Sequence, residues 1–178
     1  MVPIAQLREW LNAEQSGAQD DLLRRTESQV IALIGGYCNR YFGEPAETTV
    51  IRSAPSLEVI YLPDPPVGSV VISTRSGVGD TWATYTGDFE VNGRAVRCSD
   101  GLVWSDVANS LRFVYERGYT EDTAPAGLVA VVLDFCRYYY KEGRTVPATL
   151  GLDPSKWPIP GAQLALSPFY RPPMASSF

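Results

Sequence analysis

PAGLVAVVLDFCRYYYKE, residues 125–142, is the stretch on which the fold turns. Proline suits the first turn of a helix, where its missing N–H leaves no bond unmade. Leu128, Val132, Phe135 and Tyr139 recur at helical spacing, and Val129, Leu133, Cys136 and Tyr140 form a second stripe. Between Ala124 and Tyr140 the charges are Asp134 and Arg137 alone. A helix that is apolar on most sides is buried on most sides. This one is therefore either the central helix of the fold or a helix shared between subunits, with Phe135, Tyr139 and Tyr140 as core or subunit-interface residues.

Two more helices are predicted near the start of the chain. Pro3 opens the first, over 3–12, with Ile4, Leu7 and Leu11 at helical spacing and Trp10 beside them. A break at Ser16-Gly17 stops it. Asp20-Asp21 then supplies a cap and negative charge for a long helix over 21–43. Its apolar face is Leu23, Thr26, Val30, Leu33, Ile34, Tyr37 and Tyr41, with Arg24, Arg25, Glu27 and Gln29 turned outward. Gly35-Gly36 lies inside this helix, where each glycine costs about 1 kcal/mol against alanine. Close approach of another helix is the expected compensation.

From 46 to 119 the period changes to two. Thr48 to Arg52, Glu58 to Leu62 and Val67 to Thr74 are β-branched runs divided by proline and serine. Ser76 to Asp80, Thr86-Gly87-Asp88 and Asn92-Gly93-Arg94 read as turns, and Leu111, Phe113 and Tyr115 alternate with polar neighbours. Six or seven short antiparallel strands follow from this. The fold class expected is α+β: a helical bundle with an inserted antiparallel β-meander, together a body over 1–142.

Residues 143–178 differ in kind. They hold seven of the fourteen prolines and four charges, Arg144, Asp153, Lys156 and Arg171. Proline at this spacing argues against any regular helix or central strand. Solubilising tails are rich in charge and poor in aromatics, whereas this segment carries Trp157, Ile159, Leu164, Leu166, Phe169, Tyr170, Met174 and Phe178. Two readings are open: a tail that wraps its own domain, or an extended arm that docks on a partner or neighbouring subunit. In the second, Trp157, Ile159, Leu164, Phe169, Tyr170 and Phe178 are the anchors, and the body should fold without the arm. Fully extended, 144–178 would reach roughly 115 Å.

Composition removes whole classes of chemistry. There is no histidine, so the commonest general base and metal ligand are missing. Cys38, Cys98 and Cys136 are odd in number and form no CxxC pair, which predicts buried free thiols in a reducing compartment. Gly77-Val78-Gly79 has no following helix and reads as a turn, not a nucleotide loop. Asp20-Asp21 and Glu121-Asp122 precede helices and are explained by capping. Asp64, among Pro63, Pro65 and Pro66, reads as a solvated loop carboxylate. No serine or cysteine has a base to activate it. The expectation is a non-enzyme without cofactor or metal. The net charge is −5 and no run of Lys and Arg exists to grip phosphates. No apolar window approaches a membrane span, and the N-terminus lacks a signal-peptide pattern, so a soluble protein is expected.

Three phrases in order carry a resemblance. Ile34-Gly35-Gly36-Tyr37-Cys38-Asn39-Arg40-Tyr41-Phe42 is a tyrosine-rich helix end. Ile60-Tyr61-Leu62-Pro63-Asp64-Pro65-Pro66-Val67-Gly68-Ser69-Val70 follows the pattern L-P-x-P-P-V-x-S-V. Phe113-Val114-Tyr115-Glu116-Arg117-Gly118-Tyr119, then Pro125 and an apolar helix, follows V-x-Y-x-x-G-Y…P. With the order helix, long helix, strands, apolar helix and tail, this resembles the head–tail connector (adaptor) proteins of tailed bacteriophages over roughly residues 20 to 142.

The resemblance implies a structural virion protein of the neck, assembled in the host cytoplasm. Such adaptors form a ring, commonly of twelve copies, beneath the portal protein. The ring extends the DNA channel without sequence-specific binding and seats the next tail or stopper protein, and the C-terminal segments reach onto the portal. An acidic wall suits a channel that must not hold DNA. The alternative is an intracellular β-rich binding module for a small ligand or peptide.

Overall fold

The computed structural model describes residues 1–14, 16–77, 79–99, 102–150 and 157–171. In chain order the elements are α1 (Ile4–Leu11), α2 (Gly17–Cys38), β1 (Ala46–Ser53), β2 (Val59–Tyr61), β3 (Pro66–Arg75), β4 (Ala83–Thr84), β5 (Phe89–Asn92), β6 (Ala95–Cys98), α3 (Trp104–Val107), β7 (Ser110–Arg117), α4 (Ala126–Lys141) and α5 (Ala162–Leu166). They form two compact units, one helical (Met1–Glu44 with Tyr119–Phe178) and one of strands (Pro45–Gly118). The class is α+β, as the periodicity required.

In the helical unit α4 packs against α1, α2 and α5. Leu128, Val132 and Phe135 are fully buried and Tyr139 nearly so, joined by Leu7, Leu23, Val30, Leu33 and Ile34. Fully burying one such side chain contributes about 1.5–3 kcal/mol, so this apolar seam dominates the unit. The boundaries of α2 differ from the expected 21–43. Ser16 is extended (φ −144°) and its Oγ accepts the Gln19 N–H at 3.3 Å, so the serine that read as a break is the N-cap. Asp20 instead sits in the first turn and accepts from Arg8 Nε of α1 at 2.7 Å. Asn39, left-handed at φ 51°, stops the helix at Cys38, five residues early.

That stop also explains Gly35, and not by helix contact. Asn39 N–H bonds to Gly36 C=O at 3.4 Å and Arg40 N–H to Gly35 C=O at 3.0 Å, a Schellman reversal. A Cβ on Gly35 would lie 2.8 Å from the Arg40 carbonyl oxygen, whereas one on Gly36 would meet nothing. Glu27 is a second correction, being 3% exposed rather than outward. Its Oε1 accepts the Val2 N–H at 2.7 Å and its Oε2 accepts Arg24 Nη1 at 2.8 Å. Burying a carboxylate is costly unless both oxygens find partners, as they do here.

The strands make two antiparallel sheets, ordered β1-β7-β3-β4 and β2-β6-β5. This is not the expected meander. Among the described residues only β3–β4 and β5–β6 are sequential pairs, and β1 finds β7 across the whole unit, from Ala46↔Arg117 to Ser53↔Ser110. Alternation in β7 survives intact: Leu111, Phe113 and Tyr115 are buried, and Trp104 of α3, an element without a sequence signal, fills the core beside them. The turn at Gly93-Arg94 is a two-residue hairpin with Gly93 at φ 56°. Asp64 is 3% exposed, contrary to the solvated reading, with its Oδ2 3.1 Å from Arg117 Nη1. The register causes this, since Pro66 lies opposite Arg117.

The segment expected as an extended arm is not extended where it is described. Pro160 and Pro168 leave a proline-free window, and α5 forms inside it after Gly161, at φ 79°. Trp157, Ala162 and Leu166 belong to the helical core. The prolines end the helix on both sides without forbidding it.

Candidate functional site

The side chains most suited to recognition gather where 157–171 closes over the end of α2. Tyr37, in the last turn, is met edge-on by Trp157 at 4.5 Å between ring centroids and by the tilted ring of Tyr170 at 5.2 Å. Phe42 lies parallel to Tyr119 at 6.1 Å and edge-on to Phe169 at 6.0 Å. Arg171 N–H donates to the Cys38 carbonyl at 3.0 Å, satisfying one of the last carbonyls of α2. Beside this cluster an open cleft of about 320 Å³ is lined by Tyr138, Tyr139, Arg144, Pro147, Leu150 and Trp157. The Arg144 guanidinium lies 5.2 Å from the centre of the Tyr138 ring and 3.0 Å from Glu142.

Burial pushes the Cys38 thiol up to about 11 and the Cys136 thiol up to about 12, so neither is a nucleophile near neutrality. Burial likewise raises Tyr37 and Tyr139. Among the described residues no three Cys, Asp or Glu side chains are placed to hold a metal ion. No helix among them is long and apolar enough to cross a membrane.

The six arm residues fall into different places. Trp157 is 7% exposed, while Ile159 and Phe169 are half-buried against the helical core. Leu164 is 78% exposed, and Tyr170 is 44% exposed with its ring against Tyr37. Phe178 lies outside the described residues. On α4, Phe135 and Tyr139 are in the helical core and Tyr140 is half-buried, its hydroxyl accepting Gln19 Nε2 of α2 at 3.1 Å. Periodicity marks Tyr37 and Phe42 only as an aromatic helix end. Nothing in it says that a segment far along the chain will sit on them.

No family model and no curated protein sequence matches the chain. Solved structures do. A chain in the neck of an empty gene transfer agent particle, computed with C6 symmetry, aligns over 98% of this chain and 92% of its own, at TM-score 0.68 and 15% identity. The neck of the native particle computed with C12 symmetry gives 0.63, again at 15% identity, over 98% and 91%. The native virion of a gene transfer agent gives 0.64, at 15% identity, over 98% and 92%.

The fold is that of a particle-neck chain. At this identity the likeness is one of fold, and it reaches past the body into the C-terminal segment, because almost the whole chain aligns. The resemblance carried by the three sequence phrases and the likeness of fold point to the same kind of chain, one found in the neck of a particle.

Proposed function

We propose that the chain is a structural neck protein of a tailed-phage-like virion, a ring-forming adaptor between the portal and the tail or stopper. The observation that carries this reading is the neck fold extending over 98% of the chain. In this role copies associate side by side in a ring, with twelve the expected number, and the ring continues the DNA channel. Leu164 and Tyr170, the large apolar residues exposed in the described part of the C-terminal segment, are then contacts to the portal or to the neighbouring copy. The acidic balance, twenty Asp and Glu against fifteen Lys and Arg, suits a conduit that releases its DNA.

The direct test mixes the purified chain with its cognate portal and images the product by electron microscopy. Added ring density beneath the portal is the expected result. Its absence across a range of salt concentrations would sink the adaptor reading.

A further inference from the structure

We propose that Arg75, Trp82 and Arg112 form a docking site, on the outer face of the β1-β7-β3-β4 sheet, for an acidic side chain of a partner polypeptide flanked by apolar residues. This goes beyond the neck reading and does not depend on it. Register places the groups. Arg112 lies opposite both Ile51 and Ser73, Val114 opposite both Thr49 and Val71, and Arg75 opposite Ser110. Directly opposed residues share a face. Leu111, Phe113 and Tyr115 point into the core, so Arg112, Val114, Ile51, Val71 and Arg75 share the other side.

Trp82, just ahead of β4, holds the two cations together. The Arg75 Cζ lies 4.6 Å and the Arg112 Cζ 5.0 Å from the centre of its ring. Stacking on an indole orients a guanidinium but leaves its in-plane donors unspent. Several other arginines are paired with carboxylates, as in Arg8–Asp20, Arg24–Glu27 and Arg117–Asp64. Among the described residues neither Arg75 nor Arg112 has a carboxylate within 4.0 Å, and both Nε atoms are buried without an acceptor. Arg112 Nη2 donates to Ser73 Oγ at 3.1 Å, a neutral partner that leaves the charge uncompensated. Asp80, five residues from Arg75, and Glu116, four residues from Arg112 along β7, are both exposed. Two like charges against one ring, in a chain with excess acid, make a site that an anion completes.

The surroundings select the kind of anion. Ile51 is 52% exposed and Val71 49%, both on this same face. An apolar shelf beside two planar forks fits a carboxylate on a polypeptide, which brings its own apolar side chain and accepts bidentate bonds. A nucleic-acid backbone would set phosphates against that shelf, and the net charge of −5 repels a polyanion.

The experiment titrates the ¹⁵N-labelled full chain with the peptide acetyl-Leu-Glu-Glu-Leu-amide. Its glutamine counterpart, inorganic phosphate and a short DNA duplex form the other arms. Saturable shifts of the Trp82 indole N–H, assigned with Trp82→Phe, and of the Arg75 and Arg112 Nε–H signals are expected with the glutamate peptide alone. Arg75→Gln/Arg112→Gln should abolish them. Arg75→Lys/Arg112→Lys, which keeps charge and fold, should weaken binding at least roughly tenfold because the planar fork is lost. Equal response to the glutamine peptide, a stronger response to phosphate or DNA, or no response to any probe would each overturn the proposal.

Discussion

The ring of Phe135 has no exposed surface and packs 6.3 Å from that of Tyr139. Phe135→Ala should cost about 3–5 kcal/mol, a large share of the ~5–15 kcal/mol that holds a domain together. Denaturant unfolding reads this directly, and a loss under about 1 kcal/mol would take Phe135 out of the subunit core. The thiols give a second check. With Cys38 at about 11 and Cys136 at about 12, at pH 8 only about one in a thousand or fewer is thiolate. A disulfide reagent should therefore leave both untouched in the native protein and label them in denaturant. A raised thiol pKa favours the folded state below the ordinary thiol range, and that contribution falls as pH climbs toward 11–12. Native labelling should accelerate over the same interval. Glu27 shows what residue patterns can conceal. Its spacing from Leu23, Val30 and Ile34 puts it on the buried face, and spacing, read without regard to charge, would have placed it there.

At the scale of elements, what the sequence revealed and what it concealed divide by range. Helix existence and strand alternation are local, set by which side chains share a face, and α2, α4 and β7 were legible for that reason. Helix ends depend on single conformers such as Ser16 and Asn39, and the pairing of β1 with β7 depends on contacts across the whole unit. Neither has a period. The two glycines of α2 make this testable, because one serves the reversal and the other does not. Gly35→Ala forces a Cβ to within 2.8 Å of a backbone oxygen, and should cost about 1–3 kcal/mol. Gly36→Ala meets open space and should stabilise by up to about 1 kcal/mol. Thermal melts of the two variants should move in opposite directions. Equal shifts would remove the Schellman reversal as the reason for Gly35.

For the whole molecule, the C-terminal segment decides how folding and assembly are divided. Its composition pointed to contact, but composition does not say with what, and both readings of it drew on the same prolines and aromatics. Trp157 and Leu166 are built into the helical core and Arg171 bonds to the end of α2. Truncation after Gly143 should therefore destabilise the helical unit, not leave an intact body. Trp157→Ala alone should cost about 3–5 kcal/mol. Leu164 separates the two roles because it is 78% exposed in the same segment. Leu164→Asp removes little buried area and should leave stability within about 0.5 kcal/mol. If the segment also contacts the portal or the next copy, the same change buries an unpaired charge there, and attachment should weaken by about tenfold or more. The pair of measurements is unfolding of the isolated chain and co-sedimentation with the portal. Unchanged stability with lost attachment assigns Leu164 to the interface. Unchanged attachment of both Leu164→Asp and Tyr170→Ala would confine the segment's role to its own fold.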